Sequence, residues 1–189
     1  MGSTGKCVGF ASYINTGTPG SYPDHVVTEY WDTGSNTWKL VDPEQNDWLI
    51  KHNNINFDVQ NIPHDKFLVA GAAWQLIESG KVEAANFGDG PGNFFSGAWA
   101  VRDRIFHDLA ALNKVEPLLW DSWSPLMAPE ANPTPDEREL LNRVVSATIA
   151  NPPDFKTVTT LYQDARLTTP THMMTFSPVV PPHEVDIRV

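Results

Sequence analysis

The sequence predicts an α+β fold, in which a small antiparallel sheet of about three to four strands is followed by a mainly helical part. Runs rich in β-branched and aromatic residues, separated by turn residues, indicate a sheet portion over residues 1–50. Apolar residues at helical spacing indicate a helical portion over residues 63–167. The chain of 189 residues therefore fits one domain over residues 1–167, with an extended, proline-containing tail over 168–189.

Three strands are predicted in the sheet portion, over residues 7–14, 26–32 and 37–42. Residues 33–36, Thr-Gly-Ser-Asn, have turn chemistry and join the second and third strands into a hairpin. Residues 55–59 alternate between apolar and polar types within an otherwise irregular polar segment. They are a candidate fourth strand at the edge of the sheet.

The helical portion is predicted to contain four helices, over residues 63–79, 94–114, 134–150 and 153–163. Pro63 is expected to open the first helix, and Gly80 to end it. Thr134, followed by Pro135 and by Glu137, has the pattern of a capping box and marks the start of the third helix.

The predicted hairpin places a histidine near an aspartate. His25 lies near the start of the second strand and Asp42 at the end of the third, and in an antiparallel pair these two ends lie side by side. A carboxylate beside an imidazole fixes its tautomer and stabilises its charged form. We therefore expect a hydrogen-bonded pair, which is two thirds of a nucleophilic triad. As a strand-end carboxylate, Asp42 is expected to matter to His25 and not to the stability of the core.

The hairpin also carries a family resemblance. Its sequence, DHVVTEYWDTGSNTWKLVDPE, resembles the His and Asp strands of the transglutaminase-like superfamily of papain-like cysteine enzymes. The segments DKFLVAGAAWQL and RDRIFHDLAALNKVEPLLWDSW resemble the region after that core in bacterial transglutaminase-like proteins. The resemblance covers residues 5–165 and implies acyl transfer or amide hydrolysis, with His25 as general base and Asp42 as the residue that orients it.

Cys7 is the one cysteine of the sequence and the candidate nucleophile. A thiol paired with His25 would be activated as a thiolate, in the order Cys7, His25, Asp42 that the resemblance implies. In the family, however, the cysteine opens a helix and a further strand precedes the histidine, which together need about 24 residues. Residues 8–24, 17 in all, separate Cys7 from His25. We therefore expect Cys7 in the strand before His25, the family's cysteine-bearing helix upstream of Met1, and little acyl transfer by the chain as written.

The sequence is compatible with two functions. The first is acyl transfer or amide hydrolysis by a Cys-His-Asp mechanism on a protein or small-molecule amide, if a thiol reaches His25. The second is a catalytically inactive relative, or a fragment, that acts as a binding domain. The distance from the sulfur of Cys7 to the ring of His25 separates the two.

Composition excludes several other classes of partner. The net charge of −10 argues against nucleic acid and anionic membranes, and no apolar run is long enough to span a bilayer. A single cysteine excludes an internal disulfide framework and fits a reducing cytosol, so we expect a cytoplasmic protein. No cofactor or metal is expected: His25 and Glu29 share a strand face, but His52 and His64 lie in separate segments.

The second predicted helix contains a run of charged residues. Arg104 and Asp108 are four residues apart, which indicates a solvated ion pair on the helix surface. The alternative interpretation is functional and places Arg102 at a substrate carboxylate.

Overall fold

Four antiparallel strands form one sheet, in the order β3-β2-β1-β4. The computed structural model describes residues 4–90, 95–115, 132–150 and 153–163, with side chains from residue 9 onward. The strands are β1 (Thr4–Ala11), β2 (Asp24–Asp32), β3 (Thr37–Val41) and β4 (Phe67–Val69). Helices accompany the sheet, so the predicted α+β class is confirmed.

The predicted hairpin is formed by β2 and β3. Thr28 lies opposite Val41, and Trp31 lies opposite Trp38 beside the turn. The rings of these two tryptophans pack edge to face, with centroids 5.5 Å apart. Both hairpin strands lie close to their predicted positions, because an aromatic cross-strand pair and a turn sequence fix the register locally.

β1 lies on the other side of β2 and overlaps the strand predicted over residues 7–14, but it begins and ends three residues earlier. Its register places Gly9 opposite His25 and Cys7 opposite Val27. The prediction that Cys7 is a strand residue is therefore confirmed.

The fourth strand lies where the sequence predicted the start of a helix. β4 pairs with β1, whereas residues 55–59 form no strand, so the predicted edge strand is wrong. The helix predicted from Pro63 is also wrong at its start, because it begins at Ala70. A side chain at Gly9 would clash with the carbonyl oxygen of Leu68, so the glycine allows β4 to approach β1. The segment is therefore extended, because pairing with the edge of β1 outweighs the helical preference that its apolar spacing indicates.

A short helix, α1 (Asp47–His52), lies in the segment that was predicted to be irregular. The side chain of Asn46 caps it by accepting two backbone N–H groups of its first turn. α1 thus begins within residues 1–50, where the sheet portion was predicted, and β4 lies within residues 63–167, where the helical portion was predicted.

The remaining helices are α2 (Ala70–Glu78), α3 (Ala98–Leu112), α4 (Pro135–Thr148) and α5 (Phe155–Tyr162). The last three confirm the predicted helices, with tighter bounds. At the start of α4, Thr134 and Glu137 each accept the backbone N–H of the other, which is the predicted capping box. The predicted tail over residues 168–189 lies outside the described residues.

The sheet has an apolar cluster on each of its faces. Phe10 of β1 packs on the helix side, and the next residue, Ala11, packs on the other side, as strand alternation requires. The helix-side cluster includes Ala70, Trp74, Ile105, Leu109 and Leu141. The second cluster includes Tyr13, Val27, Leu40, Ile62 and Phe67. By the same alternation Asp24 faces the helices and His25 faces the second cluster.

Candidate active site

His25 and Asp42 form a buried hydrogen-bonded pair between the ends of β2 and β3. Nε2 of His25 lies 2.7 Å from Oδ2 of Asp42. The two residues are 8% and 1% exposed. The pair predicted from the hairpin is therefore present, and it lies on the sheet face opposite α2, α3, α4 and α5.

Asp42 is held by three donors. Its Oδ2 also accepts the hydroxyl of Tyr13 at 2.8 Å, and its Oδ1 accepts the backbone N–H of Glu44 at 3.0 Å. Burial opposes ionisation of this carboxyl, but the hydrogen bonds from His25, from Tyr13 and from the backbone outweigh it, so the pKa of Asp42 lies below its usual value. An ionised Asp42 only accepts hydrogen bonds, so the proton between it and His25 belongs to Nε2.

Tyr13 is a site residue that the sequence analysis missed. Burial, together with the hydrogen bond to Asp42, raises the pKa of its phenol far above the usual value, so the hydroxyl stays protonated and donates. Its ring packs edge to face against the rings of His25 and Phe57, with centroids 6.1 and 5.3 Å away. The alternation that places Ala11 on this face continues to Tyr13, but nothing local in the sequence marks its hydroxyl as a partner of Asp42.

Nδ1 is the nitrogen of His25 that is not bonded to Asp42. Because Nε2 carries its proton towards Asp42, Nδ1 of the neutral ring has a lone pair and can accept a proton. Oε2 of Glu44 lies 3.6 Å from Nδ1, and the side chain of Glu44 is 70% exposed. Glu44 is a second site residue that the sequence analysis missed. It lies two residues after Asp42, in the turn where the aspartate accepts its backbone N–H.

Cys7 is not opposite His25 in the sheet. Its Cα partner is Val27, and the Cα partner of His25 is Gly9. Cys7 and His25 are therefore diagonal positions on adjacent strands, and such positions are about 7–8 Å apart. Of the three predicted site residues, the structure brings His25 and Asp42 into contact and places Cys7 two residues along β1 from the partner of His25.

A polar cleft of about 330 Å³ is lined in part by Tyr13, whose hydroxyl donates to Asp42 of the pair. Its lining includes Asn15, Thr16, Ser21, Asn54 and Asn56. Hydroxyl and carboxamide groups both donate and accept hydrogen bonds, and Lys66 adds a cationic donor to the lining, so the cleft offers donors and acceptors to a polar ligand such as an amide.

His25, Asp42 and Glu44 are the residues of the described ranges whose ligand atoms lie close enough to share a metal ion, within 4.8 Å of one another. Asp42 already satisfies three donors, which leaves Nδ1 of His25 and the carboxylate of Glu44. Two protein ligands are fewer than the three of a typical catalytic zinc site. Glu29, which shares the strand face of His25, does not belong to this group; burial raises the pKa of its carboxyl.

A buried ion pair lies on the other face of β2. The guanidinium of Arg104, fully buried on α3, binds Asp24 through two parallel hydrogen bonds of 2.8 and 2.7 Å. The predicted solvated pair of Arg104 with Asp108 is therefore wrong, because Arg104 faces the sheet and not solvent. Asp108 accepts the backbone N–H of Ala70, and burial raises the pKa of its carboxyl to about 8.

Arg102 does not lie at the candidate site. It is buried on α3, on the helical side of the sheet, and burial lowers the pKa of its guanidinium. Its charged neighbours include Arg138 and Glu137 of α4. The structure thus gives no support to a substrate carboxylate bound by Arg102 beside His25.

Among the described helices, none has the length and apolar character needed to cross a bilayer. Comparison of the chain with models of protein families, with curated proteins and with solved structures finds no match.

Proposed function

We propose that this chain is a transglutaminase-like protein in which His25, held by Asp42 and Tyr13, is the acid–base residue of acyl transfer or amide hydrolysis. The observation that carries the proposal is the orientation of the ring. A buried, ionised carboxylate fixes the Nε2 proton, and this leaves Nδ1 as the basic nitrogen. Burying such a pair in the apolar face of a sheet costs desolvation free energy. A functional role for the ring explains why the fold contains the pair despite that cost.

The proposed reaction needs a thiol near Nδ1, and Cys7 is the thiol of this chain. Nδ1 takes the proton of the thiol, and the thiolate attacks the carbonyl carbon of an amide. The imidazolium then gives that proton to the leaving amine, and a thioester remains. Water completes hydrolysis, or a second amine completes acyl transfer. The backbone register puts Cys7 and His25 at diagonal strand positions on one face of the sheet, about 7–8 Å apart.

The polar cleft supports an amide substrate, either a protein or a small molecule. Tyr13 is one of its lining residues and donates a hydrogen bond to Asp42, so the cleft is connected to the His25–Asp42 pair through this side chain. A thiol mechanism suits a reducing compartment, and we place the protein in the cytoplasm on that ground. The net charge of −10 argues against nucleic acid as a partner.

The second candidate function is a binding domain that has the fold of the family without its chemistry. The observation that favours it is the strand position of Cys7, because the family's cysteine opens a helix and here the residue pairs within a sheet. On this alternative the cleft beside Tyr13 is the binding site, and the thiol has no part in it.

Labelling of Cys7 with iodoacetamide across a pH series distinguishes the two functions. If the thiol and Nδ1 form a pair, labelling is rapid near neutral pH, and His25→Ala slows it about tenfold, because an unassisted thiol is mostly protonated there. His52→Ala, a change at a histidine on α1, is the matched control and leaves the rate unchanged. A pH profile of an ordinary thiol that is the same in wild type and His25→Ala would rule out the acyl-transfer function and favour the binding domain.

A further inference from the structure

The polar cleft is lined mainly by neutral groups that form hydrogen bonds. Its lining includes several hydroxyl residues and the asparagines Asn15, Asn53, Asn54 and Asn56. Among the described residues that line it, Lys66 is the one with a charged side chain, and its Nζ lies 3.3 Å from a carboxylate oxygen of its exposed neighbour in sequence. Because this carboxylate offsets the charge of the lysine, the cleft favours an uncharged ligand over an anion.

Hydrogen bonds within the protein fix the walls of the cleft. Oδ1 of Asn53, at the end of α1, accepts the backbone N–H of Asn15 at 3.0 Å and so connects the helix to the loop that follows β1. Nδ2 of Asn53 donates to Gln45 at 3.1 Å, which holds its carboxamide in place. Oδ1 of Asn15 in turn accepts the backbone N–H of Gly17 at 2.9 Å. The two walls are therefore held together before a ligand arrives, which lowers the entropic cost of binding.

Three of the carboxamides are available to a ligand. In the described part of the chain, no hydrogen bond holds Nδ2 of Asn15 or the side chains of Asn54 and Asn56, and all three residues are exposed. Each carboxamide carries donors and an acceptor in one plane, so it can bond to two neighbouring hydroxyl groups of a ligand. Residues 54–57 alternate between exposed asparagine and the half-buried apolar side chains of Ile55 and Phe57. These two side chains offer dispersion contacts to C–H groups between the hydrogen bonds.

We infer that the cleft binds a neutral saccharide. A sugar ring presents adjacent hydroxyl groups, each of which donates and accepts, together with C–H faces, so it matches both the carboxamides and the apolar side chains. The volume of about 330 Å³ lies near the lower end of the range for small-molecule sites, about 300–1,000 Å³, which suits a ligand of about one ring. A peptide unit offers one donor and one acceptor and would leave most of the carboxamides to water. The inference names a ligand for the cleft and holds whether the chain transfers acyl groups or only binds.

Nuclear magnetic resonance of the asparagine side chains tests the inference at the groups that carry it. The full chain, isotopically labelled at asparagine, is titrated separately with glucose, galactose, mannose, maltose and lactose. N-acetylglycine methylamide, a neutral peptide, and inorganic phosphate are the competing ligand classes. We expect at least one of the sugars to shift the carboxamide signals of Asn54 and Asn56 saturably and to bind more tightly than the peptide or the phosphate. The signals of Asn61, an exposed asparagine outside the cleft, should stay in place.

Two substitutions remove carboxamide donors without disturbing the walls. Asn56→Ala should weaken sugar binding about fivefold, the factor for one neutral hydrogen bond. Asn15→Asp keeps the acceptor oxygen for the N–H of Gly17 and loses the Nδ2 donor, so it should weaken binding by a similar factor while the loop stays in place. Asn61→Ala is the matched control, because it truncates an exposed asparagine in the same connection between α1 and β4, and it should bind like wild type.

Three results would overturn the inference: no saturable shift with any of the sugars, equal sugar binding by wild type and both cleft variants, or tighter binding of the peptide or of phosphate than of every sugar. Labelling of Cys7 tests the acyl-transfer function independently. Sugar binding that depends on Asn56, in a chain whose thiol is ordinary, supports the inference and removes only the proposed chemistry. Rapid labelling that depends on His25, in a chain that binds no sugar, leaves the chemistry and removes the inference.

Discussion

Tyr13 and His25 donate hydrogen bonds to the same oxygen of Asp42, at 2.8 and 2.7 Å. The two donors reach it from different directions, Tyr13 from beyond the end of β1 and His25 from β2. The ring of Tyr13 also packs edge to face against that of His25. A phenol and an imidazole therefore constrain one carboxylate together, and each limits the movement of the other.

Removal of the Tyr13 hydroxyl tests this relationship. We expect Tyr13→Phe to lower the free energy of unfolding by about 1–2 kcal/mol, because it deletes one hydrogen bond to a charged acceptor and leaves the ring in place. Tyr162→Phe, a change on α5, is the control and should have little effect. Urea unfolding monitored by circular dichroism measures both. A Tyr13→Phe variant as stable as wild type would contradict the observed network.

Truncation of Asp42 is expected to destabilise the fold. The position of this residue at a strand end suggested that it matters to His25 alone, but the structure buries it with three donors. Asp42→Ala leaves those donors without their acceptor and should cost about 3 kcal/mol. Asp65→Ala, at an exposed aspartate that pairs with Lys66, should cost less than about 0.5 kcal/mol. Comparable losses in the two variants would show that the carboxylate of Asp42 is not part of the structural network.

Asp42 also predicts part of the acid sensitivity of the protein. Its pKa in the folded state is lower than the ordinary value of 3.8. The unfolded chain therefore binds its proton at a higher pH than the folded protein. The resulting stability is present above about pH 4 and is lost as the pH falls through the folded pKa. Between pH 4 and pH 2, wild type should lose more stability than Asp42→Asn; parallel curves would contradict the lowered pKa.

Asp108 is expected to make stability depend on pH in the opposite direction. Burial raises the pKa of its carboxyl to about 8, so between about pH 4 and pH 8 the folded protein keeps a proton that the unfolded chain has released. Stability should therefore fall as the pH rises through that window and level off above it. Asp108→Asn, whose carboxamide oxygen can still accept the N–H of Ala70, should flatten this part of the curve. Urea unfolding at pH 5, 7 and 9 tests the difference, and an unchanged slope would argue against the raised pKa.

The buried ion pair between Arg104 and Asp24 should be costly to break. Arg104→Met removes the cation and leaves a buried carboxylate without its bidentate partner, so we expect a loss of about 3–5 kcal/mol. Arg143→Met, a change on the exposed face of α4, is the control. Thermal or urea unfolding of both variants gives the comparison. A loss below about 1 kcal/mol in Arg104→Met would show that Asp24 is satisfied without the guanidinium.

The hairpin and its His25–Asp42 pair could be predicted because the signals are local. Alternation, turn residues and strand ends that must meet are all contained between residues 24 and 42. Tyr13 and Glu44 were missed for different reasons. The role of Tyr13 depends on how the chain continues beyond β1, and that of Glu44 depends on a turn that follows the strand.

Long-range pairing explains the remaining errors. Arg104 and Asp24 are 80 residues apart, so the sequence offered only the nearer partner Asp108. The segment of β4 has apolar residues at helical spacing, and only the exposed edge of β1 selects the extended form. In both cases a distant partner decides between two locally acceptable structures.

Asp24 and His25 are consecutive residues of β2 on opposite faces of the sheet, and a single peptide bond joins two environments. On one side a guanidinium from α3 holds the strand, and on the other a carboxylate holds the imidazole. The rotation of β2 about its own axis is therefore constrained from both sides at the same point. A displacement of α3 would move Asp24 and, through the shared peptide bond, His25, so the helical layer and the His25–Asp42 pair are not independent parts of the molecule.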